Sequence, residues 1–175
     1  KIINIKEPIR SIEFNYIKNK VKNIFRPRGG FYYQFKASLL GSFLGGKRNF
    51  INISNEYRRY LPVFKRGILA FRMKFGFIHN FDKINILPPY YLFELGGQSS
   101  LRGWSSPQTF SDPKTKFELF NIEYRFPVYK NWGGEVFYDT GSLLNTNTIT
   151  DYKFRSNHGI GITYDTGIGP IRFEY

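Results

Sequence analysis

Residues Gly96-Gly97-Gln98-Ser99-Ser100-Leu101-Arg102-Gly103-Trp104 place one arginine at the centre of a Gly/Ser-rich turn segment. A guanidinium stays charged and offers five N–H donors in a planar fork. Drawn into an interior it needs carboxylate partners, because a buried unpaired charge costs several kcal/mol. Glu123 and Asp139 follow on the next two alternating segments, with side chains on the same parity. A bidentate arginine between such acids would pin the loop. The blander alternative leaves Arg102 solvated at a loop tip and the two acids as ordinary strand charges.

Other chemistry-bearing residues are less productive. Gly41-Ser42-Phe43-Leu44-Gly45-Gly46-Lys47 has most of a phosphate-binding loop. Arg48, however, stands where a magnesium-binding Ser or Thr belongs, and strands rather than a helix follow, so the segment reads as a hairpin loop. His79 and His158 are the only histidines, too few for a typical zinc site. Ser99 and Ser100 have no neighbouring His base, and Asp139 with Asp165 lacks the surroundings of an acid–base pair. Cysteine is absent, which excludes disulfides and thiolate metal sites. The expectation is a non-enzymatic chain with no cofactor and no metal.

The 175 residues suffice for one domain. With 19 Phe and 13 Tyr the chain is rich in aromatics, yet its mean hydropathy is −0.39. No run approaches the ~18 apolar residues of a membrane-spanning helix. Lys and Arg outnumber Asp and Glu by 26 to 13, a net charge of +13. The cations are scattered, with tight clusters only at Arg26-Pro27-Arg28 and Arg58-Arg59. That pattern suits solvated loops or a basic barrel lumen and disfavours a nucleic-acid partner. No charged-then-apolar export signal follows Lys1, so an exported chain has lost its signal or is a piece of something longer.

The elements that must carry these residues alternate with period two. Phe31–Leu39, Gly67–Phe77, Phe117–Phe126, Trp132–Thr140, Gly159–Tyr164 and Ile171–Tyr175 each set apolar side chains on one face and polar ones on the other. Ser11–Ile17 and Asn49–Tyr60 are less regular strands, which makes about eight strands in all. Short turns at 28–30, 130–133 and 166–169 alternate with long segments at 41–48, 80–116 and 142–157, the habit of outer-membrane barrels. Period alone serves a soluble β-sandwich equally well, since that fold would bury the same apolar faces against each other.

Several of these residues together resemble the outer-membrane barrel-assembly superfamily, the BamA/TamA-like proteins with mitochondrial and chloroplast relatives. Gly96-Gly97, Ser100-Leu101-Arg102-Gly103-Trp104 looks like its signature loop, with Trp104 in place of the commoner Phe or Tyr. Phe25-Arg26-Pro27-Arg28-Gly29-Gly30 resembles its Pro-x-x-Gly strand start. Asn121-Ile122-Glu123-Tyr124-Arg125-Phe126-Pro127 resembles the strand with its loop-binding glutamate. Val136-Phe137-Tyr138-Asp139-Thr140-Gly141, Gly159-Ile160-Gly161 and Gly169-Pro170-Ile171-Arg172-Phe173 are similar to its later strands.

The resemblance implies an all-β, antiparallel transmembrane β-barrel with a long loop folded into the lumen. Residues 1–175 would be its C-terminal part, about eight of roughly 16 strands. The POTRA repeats, the first strands and the final strand would lie outside it. Arg102 would fix the loop against Glu123 and Asp139, Gly103 would allow close backbone approach, and Trp104 would pack on the lumen wall. Gly96, Gly97, Ser100 and Leu101 would support the turn. The implied function is insertion of outer-membrane proteins or protein translocation across the outer membrane. Unfolded outer-membrane clients, accessory lipoproteins or periplasmic proteins, and the lipid bilayer would be the partners. A two-partner-type secretion pore, a structural or adhesive surface barrel and a soluble sandwich with a basic ligand surface are the alternatives.

Overall fold

The computed structural model describes residues 8–23, 25–64, 66–82, 87–104, 113–144 and 154–175. Eight strands form one sheet: β1 (Ser11–Asn19), β2 (Gly30–Leu40), β3 (Phe50–Val63), β4 (Gly67–Asn80), β5 (Lys116–Tyr129), β6 (Trp132–Leu144), β7 (Arg155–Thr166) and β8 (Gly169–Glu174). Each pairs antiparallel with its sequence neighbour, so the sheet order is the chain order. Among the described residues there is no α-helix, and only two short 3₁₀ turns, Ser42–Leu44 and Pro89–Tyr91, interrupt the loops. The first of these occupies the phosphate-loop-like segment, which joins β2 to β3.

The strands outrun the periodic segments that announce them. β6 continues through Ser142, Leu143 and Leu144 where a long loop was expected to open, and β7 begins at Arg155. Side-chain hydroxyls across the β6–β7 ladder support the early start of β7. Tyr138 Oη donates to Ser156 Oγ at 2.9 Å, and Ser156 Oγ donates to Thr140 Oγ1 at 2.9 Å. Leu143 gains a buried cluster with Leu95, Leu101, Phe117 and Leu119. A polar-looking sequence thus stays in the ladder because its side chains find partners across it.

The polarity of the two faces decides between the architectures. Ile160, Ile162 and Phe173 on the apolar face are 64%, 56% and 67% exposed, while Asp139 and Glu135 on the polar face are 0% and 1% exposed. A sandwich requires two sheets meeting on their greasy faces. Here one sheet turns those faces outward and covers its polar face, as a barrel wall does in lipid. Strands of nine to 14 residues, β8 excepted, match the ~9–11 residues needed to cross a bilayer at a tilt.

The layer over the polar face is the segment between β4 and β5. Leu95 and Leu101 enter the cluster already named, with Phe93 and Trp104 packed against it. Leu87 joins Leu40, Phe50 and Ile78 in a second cluster, which Tyr91, Leu92 and Phe93 border. Both apolar clusters therefore join loop to wall, near the long-loop ends of the strands.

At the opposite rim, β3–β4, β5–β6 and β7–β8 close in tight turns, and Gly30 starts β2. Gly30 has φ +98°, and a Cβ there would lie 2.1 Å from the Lys20 carbonyl oxygen. Gly30→Ala is accordingly expected to destabilise the barrel by about 1–3 kcal/mol. The check is the temperature at which the fast-migrating folded form disappears from detergent gels; an unchanged temperature would contradict the strain.

Candidate functional site

The turn from Gly96 to Trp104 is closed by its own backbone before it touches the sheet. Gly97 N–H donates to Trp104 O at 2.6 Å, and Ser100 N–H donates to Gly97 O at 3.1 Å. The Ser100 hydroxyl bridges the same turn, donating to Gly96 O at 2.7 Å and accepting from Gly96 N–H at 2.9 Å. Ser100 thus replaces two backbone partners that a tight Gly-Gly turn would leave unmet. Leu101, with no exposed surface, plants the turn in the apolar cluster on the wall.

From there the loop runs across the strands, and successive loop residues meet successive strands. The row is fixed by register: Arg72 on β4 lies opposite Asn121 on β5, Asn121 opposite Asp139 on β6, and Asp139 opposite Asn157 on β7. Arg72 Nη1 donates to Ser99 O at 2.6 Å, and Asn121 Nδ2 donates to Ser100 O at 2.9 Å. Asp139 takes Arg102, and Asn157 faces Gly103. Four strands therefore hold four consecutive stretches of the loop at one height.

Arg102 makes the densest contacts. Its Nε and Nη2 donate to Asp139 Oδ2 and Oδ1 at 2.8 and 2.9 Å, a bidentate fork, and its backbone N–H donates to Oδ2 at 3.2 Å. Nη1 donates to Glu123 Oε2 at 3.1 Å and to Glu174 Oε1 at 3.1 Å. The guanidinium carbon lies 3.6 Å from the centre of the Phe137 ring, so one face of the cation is covered by an aromatic plane. Glu123 Oε1 in turn accepts from Arg125 Nε and from Arg172 Nη1, the latter at 3.4 Å. Arg172 also lies 3.7 Å from Glu135. Three arginines and four carboxylates thereby form one cluster.

The structure places Arg102, Glu123 and Asp139 together on the polar face. Gly103 has φ +82°, and a Cβ on it would lie 2.1 Å from Asn157 Nδ2. Trp104 packs against the Leu95–Leu101 cluster, with the Arg155 guanidinium 4.8 Å from its ring centre. Asp165, which sequence set beside Asp139 as a possible acid pair, instead meets Arg26 at 2.6 Å. Asn121, Arg72, Phe137, Asn157 and Glu174 went unremarked as contacts in the sequence. The available signal was parity: all five sit on the polar face, and cross-strand register then aligns Arg72, Asn121 and Asn157 with the loop.

A second ionic group lies on β3 and β4. Glu56 accepts from Arg58 Nε at 2.5 Å and Arg72 Nε at 2.9 Å, with Lys74 Nζ at 3.6 Å. Arg72 therefore joins this group to the loop carbonyl of Ser99.

Arg102→Ala and Asp139→Ala are each expected to cost about 3–5 kcal/mol, because each strands a buried opposite charge. Their double variant is expected to cost little more than either alone, read from unfolding in detergent; fully additive losses would contradict the pairing. Gly103→Ala is expected to expose the loop to protease at least about tenfold faster without removing any charge. Limited proteolysis checks this, and an unaltered cleavage rate would count against the tight Asn157 approach.

The fold and this site can be set beside known proteins. The crystal structure of BamA from Haemophilus ducreyi lacking POTRA domains 1–3 superimposes with a TM-score of 0.80 at 20% identity, covering 94% of this chain and 38% of that one. The outer membrane protein assembly factor BamA of Neorickettsia risticii is 21% identical over 181 residues. That match takes in 95% of this chain but 24% of the relative, so the chain spans about a quarter of that protein's length. The Omp85 superfamily domain matches residues 6–175. The eight-stranded sheet is part of an outer-membrane β-barrel, and the chain belongs to the Omp85 superfamily.

Proposed function

We propose that this chain is the C-terminal part of a barrel that inserts β-barrel proteins into the outer membrane, without catalysing a covalent reaction. The observation that carries the reading is the loop arginine seated on the polar face between Asp139 and Glu123. Family membership supports outer-membrane protein assembly at the coarser level, and the curated relative is named as an assembly factor.

Assembly of this kind runs on physical forces. A sheet edge offers unpaired N–H and C=O groups, and an incoming strand can add to it by main-chain hydrogen bonds. Thinning of the bilayer beside a short hydrophobic belt lowers the barrier to insertion. For the wall to open at one edge without collapsing, the rest must be stiff. The loop supplies that stiffness in this reading, since it ties β4 through β7 at one height and anchors in the wall through Leu101. Unfolded outer-membrane proteins are the clients. Accessory lipoproteins or periplasmic proteins are the proposed assistants, and the lipid bilayer is the working medium. Nucleic acid, nucleotide and metal have no part in it.

The test replaces the full-length protein in cells by its Arg102→Ala variant. The expected outcome is a barrel that still reaches the membrane, with a loop open to protease and assembled outer-membrane proteins reduced about tenfold. Normal assembly with an opened loop would overturn the reading. Loss of one secreted polypeptide, with other outer-membrane proteins at normal levels, would assign the barrel to secretion instead.

A further inference from the structure

The row of strand-to-loop contacts spans β4 to β7, and β8 meets the loop by a different route. The β7–β8 ladder pairs Thr166 with Gly169 and Gly161 with Glu174 at its two ends. Beyond it, Tyr175 exchanges backbone hydrogen bonds with Ile160 at 2.9 and 3.0 Å. Glu174 reaches Arg102, 72 residues away in sequence, and accepts from Nη1 at 3.1 Å.

The donors of Arg102 explain why this contact is specific. Asp139 takes Nε and Nη2, and Glu123 takes one hydrogen of Nη1. Glu174 takes the other Nη1 hydrogen, which would otherwise face a side-chain environment only 10% exposed. An unmet donor on a desolvated cation is costly. Arg172, two residues earlier on the same face of β8, meets Glu123 and Glu135. β8 is thus tied to the cluster by an acid and a base on either side of one outward residue, Phe173.

We propose that Glu174 is a positioning residue that couples pairing of β8 to seating of the loop: the loop holds β8 in the sheet, and β8 holds the loop on the wall. The proposal rests on the ionic seating of Arg102 described above. Coupling of this sort is reciprocal, so loosening either element loosens the other by the same factor. It makes β8 responsive to a loop that contacts four other strands.

The test uses the full-length protein in detergent, with two readouts: hydrogen exchange of the Tyr175 amide, and protease cleavage within residues 96–104. Glu174→Gln keeps the shape and removes the charge, so the barrel folds and the measurement stays possible. It is expected to raise both rates by about fivefold, within the range for residues sharing one ionic network. Arg102→Ala is expected to raise Tyr175 exchange as well, although it lies on no strand. In that background Glu174→Gln should add nothing. A purely local role for Glu174 in β8 would raise Tyr175 exchange and leave the loop unchanged, and that outcome overturns the coupling. Unchanged Tyr175 exchange in Arg102→Ala overturns it too. Failure of Arg102→Ala to expose the loop at all would instead sink the seating of the arginine itself.

Discussion

A guanidinium removed from water must be surrounded by acids, and this requirement organises the polar face of the sheet. Arg102 brings one positive charge to a wall where Asp139 is wholly buried and Glu123 nearly so. Neither acid could be held there charged without cationic partners, and the cation could not be held without them. The mutual dependence reaches outward through Arg125 and Arg172 to Glu135 and Glu174. β5, β6 and β8 therefore each contribute at least one charged group whose burial presupposes the others. Such a network adds little stability relative to an apolar core, but it tolerates only one arrangement.

That arrangement is possible because the sheet inverts the usual distribution of polarity. Lipid-facing side chains need no partner layer, so the apolar faces of β7 and β8 lie open. The polar faces need one, and the loop supplies it with two kinds of contact. Leu95 and Leu101 bury apolar surface against Phe117, Leu119 and Leu143. Ser99, Ser100, Arg102 and Gly103 meet Arg72, Asn121, Asp139 and Asn157 along a single row. The apolar contacts are non-directional and fix how deep the turn sits, whereas the polar row fixes its lateral position.

Much of this was legible in the residues. Dyad alternation in Gly67–Phe77 and Phe117–Phe126 marks strands because side chains change face at every step. Parity then placed Glu123 and Asp139 on one face, and the chemistry of arginine supplied a reason to connect them to Arg102. The face that meets lipid was not legible, since a sandwich shows the same period; exposed Ile160 beside buried Asp139 resolves it in the structure. The start of β7 at Arg155 was missed because hydroxyl partners across a ladder leave no periodic trace, and the end of β6 at Leu144 because the residues packed on Leu143 come from distant parts of the chain. Glu174 was visible as a polar residue on the correct face. Its link to Arg102 depends on how far β8 extends along β7, and only three-dimensional register supplies that.

The spacing of contacts along the chain also sets the order in which they can form. Neighbouring strands meet through tight turns, as at β5–β6 and β7–β8, where ladder partners are few residues apart. Arg102 lies 37 residues from Asp139 and 72 from Glu174. The entropy of closing a chain segment grows with its length, and distant contacts are gained only after local ones have shortened the path. Hairpins accordingly zip first, and the arginine can find all its acids only when four strands stand in register. Its seating is a late event in folding, one that a sheet with a slipped strand cannot reach.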